Sequence, residues 1–140
     1  MACAPGEVTV QSAETSHVFA VELADTPQTS SRGLMFRASM PREAGMLFLM
    51  DPPRQASFWM HNTMISLDLI FIDRAGVIES ISPRAVPYSQ KRLSSEGPVR
   101  AVLEINGGLA DELGIGPGDR VIHPWFDEAP AEHLCPQAAE

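Results

Sequence analysis

The densest group of chemically capable side chains is the run Trp59-Met60-His61-Asn62-Thr63. An indole beside an imidazole, an amide and a hydroxyl offers stacking area together with polar groups that orient a small polar ligand or a sugar. The bland account of the same residues is a buried Trp whose indole N–H is satisfied locally, with Asn62 and Thr63 forming a turn. Alternation over Ser57 to His61 puts Ser57, Trp59 and His61 on one face of a strand, which makes Trp59 and His61 spatial neighbours.

A second constellation is acidic. Asp68 and Glu104 each stand in an alternating pattern beside apolar residues, and if their strands pair, both carboxylates and Arg100 converge on one face as an acid/base site. The competing account is a structural ion pair, in which Arg100 neutralises acids that are costly to bury. A third reading rests on seven methionines, including Met35, Met46, Met60 and Met64, which with His61 offer the soft ligands copper(I) prefers. Against it, methionine in apolar segments is usually core filler and no Met-x-Met cluster occurs.

Other chemistries lack their signatures. There is no Gly-x-Ser-x-Gly, no Ser-x-x-Lys and no cysteine in a motif with histidine, so no activated nucleophile is visible. His17, His61, His123 and His133 are too scattered for a compact zinc spacing, and no metal site and no cofactor is predicted. The Gly114 to Gly118 stretch follows a helix and precedes a strand, the reverse of a phosphate-binding loop, and reads as a structural turn.

The elements that must position these groups are short. Glu7 to Gln11 and His17 to Leu23 alternate as two edge-like strands, and Thr26-Pro27 opens a short helix that ends at Gly33 and delivers Leu34, Met35 and Phe36 to the core. Gly45 to Met50 and Ser57 to His61 read as two strands separated by Asp51-Pro52-Pro53. Leu67 to Asp73 is apolar on both faces and therefore central, with Asp73-Arg74-Ala75-Gly76 turning the chain into Val77 to Ser82. The segment from Pro83 to Pro98 is polar and turn-rich. Val99 to Ile105 is a second central strand, with Val99, Ala101, Leu103 and Ile105 on one face and Arg100, Val102 and Glu104 on the other. A helix over Leu109 to Leu113, the glycine turn and a last strand, Arg120 to His123, complete the chain. The count predicts a mainly β (α+β) domain, either a small barrel or a two-layer sandwich of seven or eight short strands with two short helices.

Composition bounds the function. The chain has 140 residues, enough for one domain, and its 10 Lys plus Arg against 18 Asp plus Glu leave a formal charge of −8, the wrong sign for a nucleic-acid partner. The expected organisation is an N-terminal segment over 1–16 that holds the first strand, a β-rich domain over 17–126, and a mobile acidic Ala/Pro-rich tail over 127–140. No stretch approaches the ~20 apolar residues of a transmembrane span. Ala2-Cys3 is how a lipid-anchored bacterial protein begins once its leader is removed, which would place the chain in the periplasm or outside the cell; if Met1 is the native start, the cytoplasm is expected instead. Cys3 and Cys135 sit at opposite ends of the chain and are expected to be free thiols, the alternative being a terminal disulfide formed in an oxidising compartment.

Several segments together carry a resemblance: Arg32-Gly33-Leu34-Met35-Phe36-Arg37, Gly45-Met46-Leu47-Phe48, Phe58-Trp59-Met60-His61-Asn62-Thr63, Leu67 to Asp73, and Val102-Leu103-Glu104-Ile105-Asn106-Gly107. In order and spacing, from about Val21 to Val121, the chain resembles the domain of unknown function 192 family. That resemblance implies a small single-domain protein of bacteria or archaea with a compact β-rich fold, often made with an export signal, and with no established reaction. The family usually has Lys where this chain has His61, and Pro where it has Ser66. Its polar or aromatic positions matched here are Arg32, Arg37, Trp59, Asn62, Thr63, Asp68, Glu104 and Asn106. The expectation is a non-enzymatic binding or accessory domain for a small polar ligand or a protein, with Trp59, His61, Asn62, Thr63 and Arg37 as its binding residues. The alternatives are the Asp68–Glu104 enzyme and the copper(I) protein.

Overall fold

The computed structural model describes residues 4–130. Expectations about Cys3, Cys135, His133 and most of the acidic tail fall outside them. The elements run β1 (Glu7–Gln11), β2 (Ser16–Ala24), α1 (Pro27–Arg32), β3 (Ala44–Phe58), β4 (Leu67–Ile72), β5 (Ile78–Ala85), β6 (Leu93–Asn106), α2 (Leu109–Leu113) and β7 (Arg120–Ile122). All seven strands join one sheet in the order β5-β4-β6-β3-β2-β1-β7. The pairings are antiparallel except β2 with β3, which are parallel and therefore need the crossover that carries α1. The sheet curls until its two ends meet: Val77 bridges Arg120, Val121 N–H donates to the Gly76 carbonyl at 2.7 Å, and Ile78 N–H to that of Asp119 at 2.8 Å. The fold is mainly β, and of the two architectures expected it is the barrel-like one.

Local chemistry explains most element ends. Thr26 and Thr29 form a reciprocal capping box at the start of α1, Pro27 occupies its first turn, and Gly33 at φ 50° ends it. Asp73 Oδ1 accepts from Ala75 N–H at 2.9 Å and Val77 N–H at 3.0 Å, which builds the β4–β5 turn around Gly76 at φ 83°. His123 fastens the two ends of the domain: its Nε2 bonds the Pro5 carbonyl at 2.8 Å and its Nδ1 accepts from Trp125 N–H at 3.1 Å, so the ring is neutral. Burial lowers its pKa, against a smaller upward pull from the Pro5 bond.

Two apolar clusters lie on opposite faces of the sheet. Val8, Val10, Leu47, Ile70, Ile72, Leu103 and Ile105 belong to one, closed over by α2; Met46, Phe48, Leu67, Leu69, Phe71 and Val102 belong to the other, with Leu34, Met40 and Met60 from the connections. Every residue of β4 is buried, as two apolar faces required.

Several expectations are corrected. β1 and β2 are interior strands, because β7 and the parallel β3 cover the edges they were expected to show. The strands expected over 45–50 and 57–61 are parts of one bent strand, β3, which ends at Phe58, so Trp59 to His61 leaves the sheet in a turn closed by Thr63 N–H on the Met60 carbonyl at 3.0 Å. The polar stretch 83–98 contains the end of β5 and the start of β6. Val99 packs in the opposite cluster from Ala101, because the β3–β6 register shifts between Leu49 and Arg54, where the Asp51-Pro52-Pro53 insertion breaks the alternation. Phe36 does not reach the core: it sits exposed at φ 66° with the Arg32 guanidinium over its ring. Residues 127–130 lie against the domain, with Ala129 buried and Glu128 paired to Arg74 at 2.7 Å.

Candidate functional site

On β6, alternation turns Val102 and Glu104 toward the face that β4 lines with Leu67, Leu69 and Phe71, and Glu104 is registered against Leu69. β3 supplies Met46 opposite Glu104. Its preceding residue must be glycine: a Cβ on Gly45 would stand 2.6 Å from the Glu104 carbonyl oxygen, and the bare backbone is what lets β3 close on β6 here. Glu104 is therefore set into an apolar wall, 4% exposed. Its carboxyl group receives no hydrogen bond from any described residue, and burial pushes its pKa up to about 8.

Glu104 lies at the base of a cavity of about 340 Å³, walled by the end of α1, the outer half of β3, Trp59, Thr63 and Arg92. This is the small end of ligand-site volumes. Three arginines, Arg32, Arg54 and Arg92, contribute to its walls; the Arg32 guanidinium lies over the Phe36 ring at 5.8 Å and Arg54 Nη1 donates to the Pro52 carbonyl at 3.4 Å. Arg37, Arg42, Arg74, Arg84 and Arg100 are each paired with a carboxylate elsewhere on the domain, whereas these three, like Arg120, which donates to the Ala75 carbonyl at 3.3 Å, have no carboxylate partner among the described residues. Arg92 lies over the Trp59 ring at 4.7 Å, and His61 stacks on the same indole with centroids 4.7 Å apart and planes at 28°. In a molecule of charge −8, the lining of this cavity gathers three arginines and one buried acid.

The residues expected to bind ligand separate. Trp59 and Thr63 line the cavity, and the 38% exposure of Trp59 shows that its ring is not sealed in the core. His61 packs against Trp59 and meets Gln90 Nε2 through Nδ1 at 3.2 Å, supporting the indole from outside the lining. Asn62 serves the turn: it takes φ 53°, a conformation asparagine tolerates, and its carbonyl accepts from Phe36 N–H at 3.0 Å. Arg37 is committed to Glu22 in a two-pronged ion pair, with Nη2 to Oε1 at 2.7 Å, and takes no part in the lining.

The acid/base pair does not assemble. Asp68 is registered against Ile105, one position out of phase with Glu104, and so faces the opposite side of the sheet. There its oxygens accept from Arg84 N–H at 2.8 Å, Gly108 N–H at 2.9 Å and Ala110 N–H at 2.8 Å. Arg100 reaches neither acid: its Nε donates to the Trp125 carbonyl at 3.1 Å and its Nη1 pairs with Asp51 at 3.1 Å. The methionines do not gather around His61 either. Met60 is 1% exposed among Met40, Met46, Met50 and Phe48 in the core, while His61 lies outside on Trp59.

Arg54 and Arg92 were not foreseen in the site, nor was the meeting of Glu104 with Trp59. A single signal for Glu104 was present, an acid in an otherwise apolar strand; nothing local links it to a tryptophan 45 positions earlier.

The DUF192 family model, described as an uncharacterised ACR, matches residues 8–123. Among solved structures, a protein of unknown function from Novosphingobium aromaticivorans is 50% identical, with 82% of each chain covered and a TM-score of 0.81. A protein from Sinorhizobium meliloti, described as a candidate transcription regulator, is 39% identical over 86% of this chain and 95% of its own, also with a TM-score of 0.81. No curated protein matches the chain.

Proposed function

This chain belongs to the DUF192 family, and from that premise we propose that it is a small-molecule binding domain whose ligand enters the cavity between α1, β3 and Trp59 and presents an anionic group to Arg32, Arg54 and Arg92. One observation carries the reading. Three arginines without carboxylate partners among the described residues contribute to the lining of one cavity of an acidic protein, and guanidinium groups recognise carboxylate and phosphate by charge and fork geometry together. Trp59, stacked on His61 and overlaid by Arg92, forms a rigid part of the cavity wall. The volume admits a small metabolite. The description of the Sinorhizobium meliloti relative does not carry over to DNA reading here. The charge is −8, and the helices among the described residues, of six and five residues, are too short to serve as recognition helices.

The test is fluorescence of Trp59 in a Trp125→Phe background during titration with acetate, succinate and inorganic phosphate. At least one of these anions is expected to give a saturable change, weakened tenfold or more by combined Arg54→Ala and Arg92→Ala and unaffected by Arg74→Ala, which lies outside the cavity. The reading fails if none saturates below about 10 mM, or if the Arg54/Arg92 variant binds as tightly as the parent.

A further inference from the structure

Resting on that anion-binding reading, we propose that the natural ligand is amphoteric: a small molecule that places a protonated amine on the Glu104 carboxylate at the base of the cavity and its carboxylate or phosphate among Arg32, Arg54 and Arg92. The argument is one of complementarity. Glu104 is almost wholly buried, lines the cavity, and receives no hydrogen bond from the described residues. Buried polar groups in native proteins are nearly always paired, so an unpaired carboxyl group aimed into a cavity is a site held for an incoming donor.

What faces Glu104 narrows the donor. From β4 come Leu67 and Leu69, from β3 Met46 and Phe48, and from its own strand Val102, all apolar. Asn106, two residues along β6, spends its amide on the Met40 and Pro41 carbonyls at 2.9 and 3.2 Å. The charged groups on the other walls are Arg32 at the end of α1, Arg54 on β3 and Arg92 before β6, and none of them bonds the carboxyl group. A plain anion would satisfy the arginines and leave Glu104 unpaired. A plain amine would satisfy Glu104 while meeting three like charges. A molecule carrying both groups meets both demands, and an ammonium ion set against a carboxylate in an apolar wall is a strong charge-assisted contact.

Calorimetric titration of the full chain at pH 7 tests this with ω-amino carboxylates from glycine to 6-aminohexanoate, each compared with the carboxylate of equal length lacking the amine. One length is expected to bind at least tenfold tighter than its amine-free counterpart. Its binding should release protons, seen as heats that vary with buffer ionisation enthalpy, because the ammonium group draws Glu104 into its ionised form. Glu104→Gln, close in shape and neutral, should erase both the tenfold advantage and the proton release, whereas Arg74→Ala, outside the cavity, should change neither. If carboxylates bind and the amine adds nothing at any length, or if Glu104→Gln keeps the advantage, the amphoteric assignment is overturned while anion binding stands. If neither series nor inorganic phosphate binds, both are overturned.

Discussion

Two buried carboxyl groups stand one residue out of phase on paired strands and lead opposite lives. Asp68 on β4 is 0% exposed and takes three backbone N–H groups, from the end of β5 and from the start of α2. It is the cap that α2 lacks locally: the helix begins at Gly108, which has no side chain to offer, and Asp68 reaches from the sheet to hold Gly108 and Ala110. Glu104 on the neighbouring β6 is buried almost as fully and takes none. Burial alone therefore does not tell a structural acid from a functional one; the donors around it do. A carboxylate saturated by backbone is a clamp, whereas one left unpaired in a cavity destabilises the fold unless something binds it.

The largest effect expected from breaking this contrast is at Asp68. Asp68→Ala leaves three N–H groups without their acceptor, at about 1–3 kcal/mol each, and should lower unfolding stability by roughly 5 kcal/mol in urea titration. A loss under about 1 kcal/mol would mean the clamp is ornamental.

Glu104 should behave in the opposite sense. Its pKa in the fold is about 8 against 4.5 unfolded, so between those values the native state holds a proton that the unfolded chain has released. Stability from this group is fully present below pH 4.5, falls as pH rises, and levels off above about pH 8, a total of roughly 4–5 kcal/mol. Glu104→Gln should remove this slope and be the more stable protein at pH 8.5, as measured by denaturation across the pH range. An unchanged slope would show that Glu104 finds a partner after all.

The smallest effect sharpens the boundary of the site. Arg37→Ala removes a partly exposed ion pair with Glu22 and should cost only about 0.5 kcal/mol. It should leave anion binding unchanged in the Trp59 fluorescence titration, whereas a tenfold loss would return Arg37 to the ligand set.

Much of the fold was legible because its causes are local. The Thr26-Pro27 helix start, the Asp73 to Gly76 turn, the doubly apolar β4 and the glycine-flanked α2 each follow from residues within a few positions of one another. Trp59 beside His61 was also foreseen, although the stacking comes from a turn and not from the expected strand. What the sequence did not show depended on distant partners or on backbone conformation. Arg37 looked available until β2 brought up Glu22, and Asn62 looked like a ligand group although its backbone conformation is what the turn uses.

The amino-acid order by itself determined a single mainly β domain, the faces on which Asp68 and Glu104 fall within their own strands, and an acid where an apolar residue would pack more easily. Only the tertiary structure decided that those faces are opposite and that Glu104 shares a cavity lining with Trp59 and three arginines. The reason is symmetry: β4 and the middle of β6 are apolar on both sides, so no contrast of inside and outside sets their relative phase. A register one residue different would have put the two carboxyl groups on the same face, and that choice is made by the pairing of the whole sheet.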